Sequence, residues 1–284
     1  MSAEIAVLGP GAVGGALAVR LARAGRPVVV VSTLSSTGAI HAEGLTLVAP
    51  DGSFTEHIEA VERLVEPVAL LVVAVKATGL TAALGRIETE PSLAVPLLNG
   101  IEHMEALRRR FGVVAAGSAG RFTAYRESPA RIVQTTPAML VTTSSVQAAE
   151  LLRVEGIETR TEANERLVLW WKAARLASVT AVSALTQRPV GELLADPEWR
   201  ATLEAAVEEA CSVAAADGAP TTPAEQWAMI ELMPPTALTS AARDVAAGRP
   251  SELDAIVGGV VRAGERLGVP TPTLAGLLAQ LEGK

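Results

Sequence analysis

The sequence has little of several residue types, and each shortage excludes a class of protein. Acidic residues outnumber basic ones by 31 to 24, which gives a net charge of −7. Nucleic-acid-binding domains usually carry a basic surplus, so this balance argues against a nucleic-acid partner. Aromatic residues make up only 3% of the chain, although 49% of it is hydrophobic. The core must therefore consist mainly of aliphatic side chains and alanine.

Cysteine, histidine and long apolar runs are also scarce. Cys211 is the only cysteine, so no disulfide can form within the chain. The histidines His41, His57 and His103 are isolated and lack the spacing of metal ligands, which predicts no metal site. No uncharged apolar run reaches the roughly 18 residues that a membrane span needs. The first residues lead straight into a strand pattern without the features of a signal peptide. We therefore expect a cytoplasmic protein with no membrane partner.

The chain has two parts with different patterns. Short apolar runs rich in Val and Leu recur through the first half, among them EIAVLG, PVVVVS, LLVVAVK, LAVPLLN, RIVQTT and MLVTT. Such runs favour strands that are buried on both faces of a mostly parallel sheet. After about residue 164, strand signals stop and helix starts take over, at Asp196-Pro197, Thr222-Pro223 and Thr271-Pro272. We predict an α/β domain over residues 1–164 and an all-α domain over residues 165–284.

A glycine-rich loop lies between the first strand pattern and the first helical pattern. The stretch AVLGPGAVGG contains Gly9-x-Gly11-x-x-Gly14. In this context the first glycine permits a tight turn, the second lets the backbone approach a pyrophosphate, and the third lets helix and strand pack closely. This predicts a Rossmann-like, dinucleotide-binding domain. The loop residues expected to contact the cofactor are Gly9, Pro10, Gly11, Ala12, Val13 and Gly14.

The end of the second strand pattern favours NADP(H) over NAD(H). An NAD-specific site usually carries Asp or Glu there to bond the ribose hydroxyls. Here the strand ends in Ser32 and Thr33, which cannot repel a 2′-phosphate and can bond one. No basic residue is evident at this strand tip, so the preference rests on the hydroxyl groups alone.

Six motifs are spread over nearly the whole length of the chain: GPGAVGG, VVAVKA at 72–77, LLNG at 97–100, WWK at 170–172, SAARDVAAGRPSELDAIVGGVV at 240–261 and AGERLGVPTPTLAGLL at 263–278. The serine, aspartate, glycine-arginine and glutamate spacing of the fifth motif is the most specific feature. Together these motifs resemble those of the ketopantoate reductases (2-dehydropantoate 2-reductases).

This resemblance implies reduction of a 2-keto acid by NADPH, as in the conversion of ketopantoate to pantoate in pantothenate biosynthesis. Lys172 would donate the proton or stabilise the alkoxide, with Glu252 beside it. Lys76 would line the cleft for cofactor and substrate, and Asn99 would lie near the nicotinamide and the substrate. Ser240 would bind the substrate carboxylate.

The residues allow this chemistry without the family, but each also has a simpler interpretation. A carbonyl that becomes an alkoxide needs a proton donor or a fixed positive charge. Lys76 and Lys172 could instead extend to solvent with their stems on apolar surface. Asn99 could simply belong to an Asn-Gly turn, and Glu252 could be an ordinary acid in the first turn of a helix.

The chain departs from the family pattern on the substrate side. The family lysine is followed four and eight residues later by substrate-binding asparagines, which correspond here to Leu176 and Thr180; Thr180 is the substrate-binding candidate that keeps a polar group. Val190 replaces a further asparagine, and Thr33 replaces an arginine often found after the second strand. A more apolar keto acid or another carbonyl compound is therefore an alternative substrate. Arg175, near the same face as Lys172, could replace a contact to the substrate carboxylate, but we expect it to point to solvent.

Two further alternatives remain open at the level of sequence. The chain could be a dehydrogenase of another small hydroxy acid or of an opine-like compound. It could also be a non-catalytic, dinucleotide-responsive binding protein, although such a protein has no need of both Lys172 and Glu252. The alanine-rich helical half would permit a homodimer.

Overall fold

The computed structural model describes residues 3–283, which divide into two compact units. The first unit holds the described residues up to Leu98 together with His103–Glu165. The second holds Asn99–Glu102 together with the residues from Arg166 onwards. The prediction of an α/β region followed by a helical region is confirmed. The patterns of the sequence did not indicate that Asn99–Glu102 would cluster with the helices, and the functional division at residue 164 stays a prediction.

The first unit is built around a five-stranded parallel sheet, whose spatial order is β5 (Glu59–Val61), β2 (Val28–Val31), β1 (Ile5–Leu8), β6 (Leu70–Val73) and β7 (Ala94–Pro96). The strands at its centre are completely buried, as their continuous Val and Leu runs predict. The strands of the unit are β1 Ile5–Leu8, β2 Val28–Val31, β3 Leu45–Ala49, β4 Gly52–Glu56, β5 Glu59–Val61, β6 Leu70–Val73, β7 Ala94–Pro96, β8 Gly117–Gly120, β9 Ala124–Ser128, β10 Arg131–Gln134, β11 Met139–Thr143 and β12 Ile157–Thr161. Its helices are α1 Ala12–Arg23, α2 Leu34–Glu43, α3 Leu80–Leu84, α4 His103–Arg110 and α5 Val146–Leu152.

Two smaller sheets hold the remaining strands. One has the order β4-β3-β10-β9 and the other β12-β11-β8, and both mix parallel and antiparallel pairs. The RIVQTT and MLVTT runs therefore belong to mixed sheets rather than to the parallel one. Half-exposed strands such as β4 and β9 have no continuous apolar run, which explains why the sequence did not reveal them.

Helix α1 ends just before Gly25, which the helical pattern AVGGALAVRLARAG predicts as its C-terminal cap. Gly25 adopts a left-handed φ of 78°, and its N–H donates to Ala22 while Arg26 N–H donates to Leu21. This pair of bonds satisfies the last carbonyl groups of the helix, and glycine adopts the required backbone conformation without a steric penalty.

The second unit packs its helices around an aliphatic, alanine-rich core. Cys211 lies in this core, as its alanine-rich helical surroundings AVEEACSVAAA favour, and burial raises the pKa of its thiol to about 11. A thiol in apolar surroundings packs rather than acts as a nucleophile. The helices are α6 Glu165–Thr186, α7 Val190–Ala195, α8 Pro197–Ala216, α9 Pro223–Glu231, α10 Ser240–Ala246, α11 Gly259–Leu267 and α12 Pro272–Glu282. A single π-helical turn, Asp254–Gly258, leads into α11.

Two of the three predicted helix caps form, and the third is replaced. Asp196 accepts from the backbone N–H groups at the start of α8, and Thr222 makes a complete capping box with Glu225. At α12, however, Thr271 makes no side-chain cap. Instead, the carboxylate of Glu209 on α8 accepts hydrogen bonds from the backbone N–H groups of Thr273 and Leu274, at 2.7 and 2.9 Å. A carboxylate at the N-terminus of a helix also interacts favourably with the helix dipole. A side chain of the neighbouring helix α8 thus caps α12 in place of Thr271.

Across residues 3–283, none of the helices is both long and apolar enough to cross a membrane.

The buried guanidinium of Arg20 gives a testable contribution to the stability of the first unit. Arg20 on α1 is 4% exposed and donates two hydrogen bonds, of 2.5 and 2.7 Å, to the carboxylate of Asp51 between β3 and β4. This bonding holds the pKa of Asp51 below its usual value. Because the pKa is lower in the folded state, the stabilisation is complete above the unfolded-state pKa and is lost as the pH falls through the folded-state pKa.

We expect Arg20→Met to lower the free energy of unfolding at pH 7 by about 1–3 kcal/mol, because a bidentate charged bond is lost. This difference in stability between the wild type and Arg20→Met should shrink below about pH 4, as Asp51 takes up a proton in both proteins. Urea unfolding at several pH values measures this. Arg23→Met is the matched control, since Arg23 is about half exposed and its nearest carboxylate oxygen, on Glu56, is 3.8 Å away. Equal losses in the two variants, or a loss that does not change with pH, would contradict the interpretation.

Candidate active site

The glycine loop joins β1 to α1 at the carboxyl edge of the parallel sheet. Gly9 has a φ of 91°, and its N–H donates to the carbonyl of Val31 at the end of β2. Gly11 is the N-cap residue of α1, and no side chain of the described residues caps this helix start. The loop therefore presents backbone N–H groups at the positive end of a 12-residue helix, which is a favourable place for an anionic phosphate.

The three glycines of the loop are required for different reasons. A Cβ atom on Gly9 would lie 2.5 Å from Val75, and one on Gly14 would lie 2.3 Å from the carbonyl oxygen of Gly9. Both glycines are thus required by the chain itself. A Cβ atom on Gly11, in contrast, would meet no atom of the chain within 4 Å. The absence of a side chain on Gly11 instead leaves room for a ligand group, such as a pyrophosphate, to approach the backbone closely. The loop therefore fits a dinucleotide.

The tip of β2 carries the predicted hydroxyl groups and one cation from a distant part of the sequence. Ser32 is buried, whereas Thr33, the N-cap residue of α2, is exposed. Nη1 of Arg86 donates to the carbonyl oxygen of Ser32 at 3.1 Å. The statement that no basic residue lies at this tip is therefore wrong. Arg86 follows α3, and a parallel bridge between Leu64 and Ile87 brings it to the edge of the sheet, a contact that has no local sequence signal.

Lys76 follows β6 and is the N-cap residue of a short 3-10 turn, Ala77–Gly79. Its side chain is exposed and belongs to the first unit, as do the glycine loop and the hydroxyl groups at the tip of β2.

In the second unit, three of the predicted residues form one hydrogen-bonded chain. Nζ of Lys172 on α6 donates to Oδ1 of Asn99 at 2.8 Å. Nδ2 of the same amide donates to Oε2 of Glu252 at 3.1 Å. Asn99 therefore bridges the ammonium and the carboxylate, with its acceptor towards the cation and its donor towards the anion. This bridging role could not be read from the sequence, where Asn99 was assigned only to cofactor and substrate.

Gly100 and the π-helical turn position Asn99. Gly100 has a φ of 83°, and a Cβ atom on it would lie 2.4 Å from the carbonyl oxygen of Ala255 in the turn. Arg262 on α11 secures the same segment, because it bonds both carboxylate oxygens of Glu102 at 2.9 and 2.7 Å. The same guanidinium donates to Asp254 at 2.6 Å. Single π-helical turns are rare and frequently occur at functional sites.

The surroundings of Lys172 change its acidity. Burial lowers its pKa to about 8, and the positive charge of Arg175 contributes, while the negative charge of Glu252 acts in the opposite direction. At pH 7 the side chain is therefore mainly an ammonium that can release its proton close to neutrality. A pKa near the working pH is what an efficient general acid needs.

The expected orientation of Arg175 is wrong. Arg175 is partly buried, and its Nη1 donates to Oε1 of Gln226 at 2.9 Å, while burial lowers its pKa. Gln226 is fully buried and in turn donates to Thr221 at 2.7 Å. The buried amide oxygen of Gln226, 51 residues away in the chain, thus holds the guanidinium where its charge acts on Lys172.

The remaining candidates lie on or beside α6. Thr180 is completely buried, and its hydroxyl has no hydrogen-bond partner among the described residues. Ser240 is exposed at the start of α10, directly after Thr239, whose hydroxyl lies 3.4 Å from that of Ser183 on α6. Leu176 is partly buried, whereas Val190 begins α7 and packs in the helical core.

No group of three or more His, Cys, Asp or Glu side chains in residues 3–283 is arranged to hold a metal ion.

Comparisons with known proteins identify the family of the chain. The model of ketopantoate reductase PanE/ApbA matches residues 5–145, and the model of the C-terminal part of that family matches residues 164–284. The chain belongs to the ketopantoate reductase family. It is 31% identical to a 2-dehydropantoate 2-reductase of Caulobacter vibrioides, with 98% of each chain covered. It is 30% identical to one of Pyrobaculum aerophilum over 73% of this chain and 74% of that one.

Solved structures show the same fold. A family ketopantoate reductase from Ralstonia eutropha has a TM-score of 0.86 at 27% identity, covering 98% of this chain and 97% of the other. A D-mandelate dehydrogenase, solved with NADH and anilino(oxo)acetate, has a TM-score of 0.89 at 21% identity, with the same coverage. The family relationship makes the chain an oxidoreductase of the 2-dehydropantoate 2-reductase type.

Because Gly9 and Gly14 are crowded by the chain and Gly11 is not, a substitution of Gly11 is predicted to affect ligand binding without affecting stability. Gly11→Ala should weaken dinucleotide binding about 10- to 100-fold, because the methyl group occupies space that the pyrophosphate needs. It should change the free energy of unfolding by less than about 0.5 kcal/mol, since the new Cβ meets no atom of the chain. Calorimetric titration and urea unfolding measure the two effects.

Gly38→Ala in α2 is the matched control, because a Cβ atom there also meets nothing within 4 Å. It should leave binding unchanged. Gly14→Ala should instead destabilise the fold. A Gly11→Ala protein that binds dinucleotide as tightly as the wild type would show that the loop does not approach a pyrophosphate.

Proposed function

We propose that this protein reduces a 2-keto acid to the 2-hydroxy acid with NADPH, and that Lys172 is the proton donor. The observation that supports this best is the chain of hydrogen bonds from Lys172 through Asn99 to Glu252. A lysine that merely extends to solvent has no need of a partly buried position, an amide acceptor and a pKa near 8.

The chemistry divides between cofactor and protein. NADPH, when bound, supplies the hydride to the keto carbon. The ammonium of Lys172 gives its proton to the carbonyl oxygen, so that a hydroxyl group forms and a neutral amine remains. Glu252 favours the ammonium electrostatically and so returns the amine to its protonated state with a proton from solvent. Asn99 orients the lysine, because its acceptor oxygen fixes the direction of the Nζ group.

The other residues have roles in binding. The loop from Gly9 to Gly14 would hold the pyrophosphate of the cofactor, and Ser32 and Thr33 would bond its adenosine ribose or the 2′-phosphate. Lys76 is an exposed cation after β6 and contributes to binding the cofactor phosphates and the keto-acid anion. Ser240 is an exposed hydroxyl group at a helix start and suits a carboxylate.

Ketopantoate is the first candidate substrate, since both whole-chain and partial relatives are named 2-dehydropantoate 2-reductases. A more apolar 2-keto acid is the second candidate. Leu176 lies one turn after Lys172 on α6 and cannot hydrogen-bond a substrate hydroxyl group. A D-mandelate dehydrogenase, whose name denotes an aromatic hydroxy acid, shares the fold. Thr180, two turns after the lysine, is the candidate for a substrate hydrogen bond on this helix, because its buried hydroxyl group has no partner among the described residues.

A homodimer in the cytoplasm is our expectation for the working form. A ketopantoate reductase of Staphylococcus aureus with this fold is described as dimeric, at 21% identity.

Two substitutions of Lys172 test the proton donor. Lys172→Met should lower kcat by about 100-fold or more, because the general acid is removed. Lys172→Arg keeps the charge but should be nearly as slow, since a guanidinium does not release its proton at neutral pH. NADPH affinity should stay within about threefold of the wild type in both variants. For the wild type, the reduction rate should fall as the pH rises through about 8, because the ammonium is lost.

The measurement is the loss of NADPH absorbance with ketopantoate and with a panel of alkyl and aryl 2-keto acids. Turnover of ketopantoate in preference to the panel would support the biosynthetic substrate, and the reverse would support the apolar one. Full activity of Lys172→Met would contradict the assignment of the donor. NADPH binding without turnover of any 2-keto acid would contradict the reductase itself.

A further inference from the structure

The tip of β2 holds a polar cluster that the family pattern does not explain. The hydroxyl groups of Ser32 and Thr37 lie 2.8 Å apart and are buried. Those of Thr33 and Ser35 lie 3.3 Å apart and are both exposed at the start of α2. The arginine that family members often carry at this place is absent, because Thr33 occupies the position.

Arg86 brings a positive charge to this cluster from another part of the first unit. Its Nη1 atom donates both to the carbonyl oxygen of Ser32, at 3.1 Å, and to that of Glu62, at 3.3 Å. Its Nη2 and Nε atoms donate to none of the described residues. The guanidinium is thus anchored through one nitrogen, and the N–H groups on its other side are left for a ligand.

This position lies next to the dinucleotide loop. Gly9 N–H bonds the carbonyl of Val31, the residue directly before Ser32. When the pyrophosphate of a dinucleotide lies on the loop, its adenosine ribose lies over the end of the second strand. The chain has no Asp or Glu between Ser32 and Ala42, so no carboxylate of this segment would bond the ribose hydroxyls or repel a phosphate.

We propose that Arg86 recognises the 2′-phosphate of NADPH, with the exposed hydroxyl groups of Thr33 and Ser35 as further donors. The inference rests on the proposed function and specifies its cofactor. A guanidinium can form paired hydrogen bonds with phosphate oxygens, and the anchored Nη1 fixes its plane before the ligand arrives. In this chain Arg86, which follows α3, thus takes the place of the arginine that family members often carry after β2.

The test compares NADPH with NADH, which differ only in the 2′-phosphate. Binding of each cofactor to the wild type and to Arg86→Gln is measured by calorimetric titration. We expect Arg86→Gln to weaken NADPH binding about 10- to 100-fold, because bonds to a charged phosphate are lost. NADH binding should change less than about threefold. Arg109→Gln is the matched control, since it removes the same charge from an exposed side chain that pairs with Glu105 on α4.

A second variant distinguishes the loss of a phosphate contact from the loss of the fold. Arg86→Lys keeps the positive charge but not the paired geometry, so its NADPH affinity should lie between those of the wild type and Arg86→Gln. Thermal unfolding of all variants shows whether the fold is intact.

Other outcomes overturn the inference in recognisable ways. Equal weakening of NADPH and NADH would show that Arg86 contacts the part of adenosine that both share. An unchanged affinity for NADPH would leave Arg86 as a backbone tether only. A wild type that prefers NADH would overturn the 2′-phosphate site but leave the reductase proposal standing. A wild type that binds neither cofactor would overturn the proposed function as well.

Discussion

The second unit depends on keeping the charged end of Lys172 partly buried among apolar neighbours. Burial opposes the ammonium form, and Arg175 opposes it further, so the charge needs compensation. Glu252 supplies the opposite charge, and Asn99 links the two through both ends of its amide. The result is a lysine whose pKa lies near 8, where a proton can be released and recovered at physiological pH.

This arrangement explains irregular features of the backbone nearby. Asn99 reaches its place because Gly100 lies against the π-helical turn, where a side chain would collide with Ala255. Glu252 lies just before that turn, and Arg262 fastens the segment from the other side through Glu102. The left-handed glycine and the π-helical turn thus serve one purpose, which is to hold the amide between the lysine and the carboxylate.

The sequence predicted those features that depend on neighbours in the chain. The glycine loop, the cap at Gly25, the buried parallel strands and the alanine-rich helices all follow from local patterns. The features it missed depend on contacts between distant segments. Glu209 replaces Thr271 as the cap of α12, Gln226 holds Arg175 away from solvent, and Arg86 reaches the tip of β2. The bridging role of Asn99 is of the same kind, because it requires three segments to meet.

The acidity of Lys172 is the most direct test of this account. The chain has only three lysines, Lys76, Lys172 and Lys284, so lysine-selective ¹³C labelling gives three side-chain signals that can be titrated by NMR. Lys172→Met identifies the signal of interest. We expect a pKa near 8, moving lower in Glu252→Gln and higher in Arg175→Gln. A pKa near the ordinary lysine value of 10.5, unchanged in both variants, would contradict it.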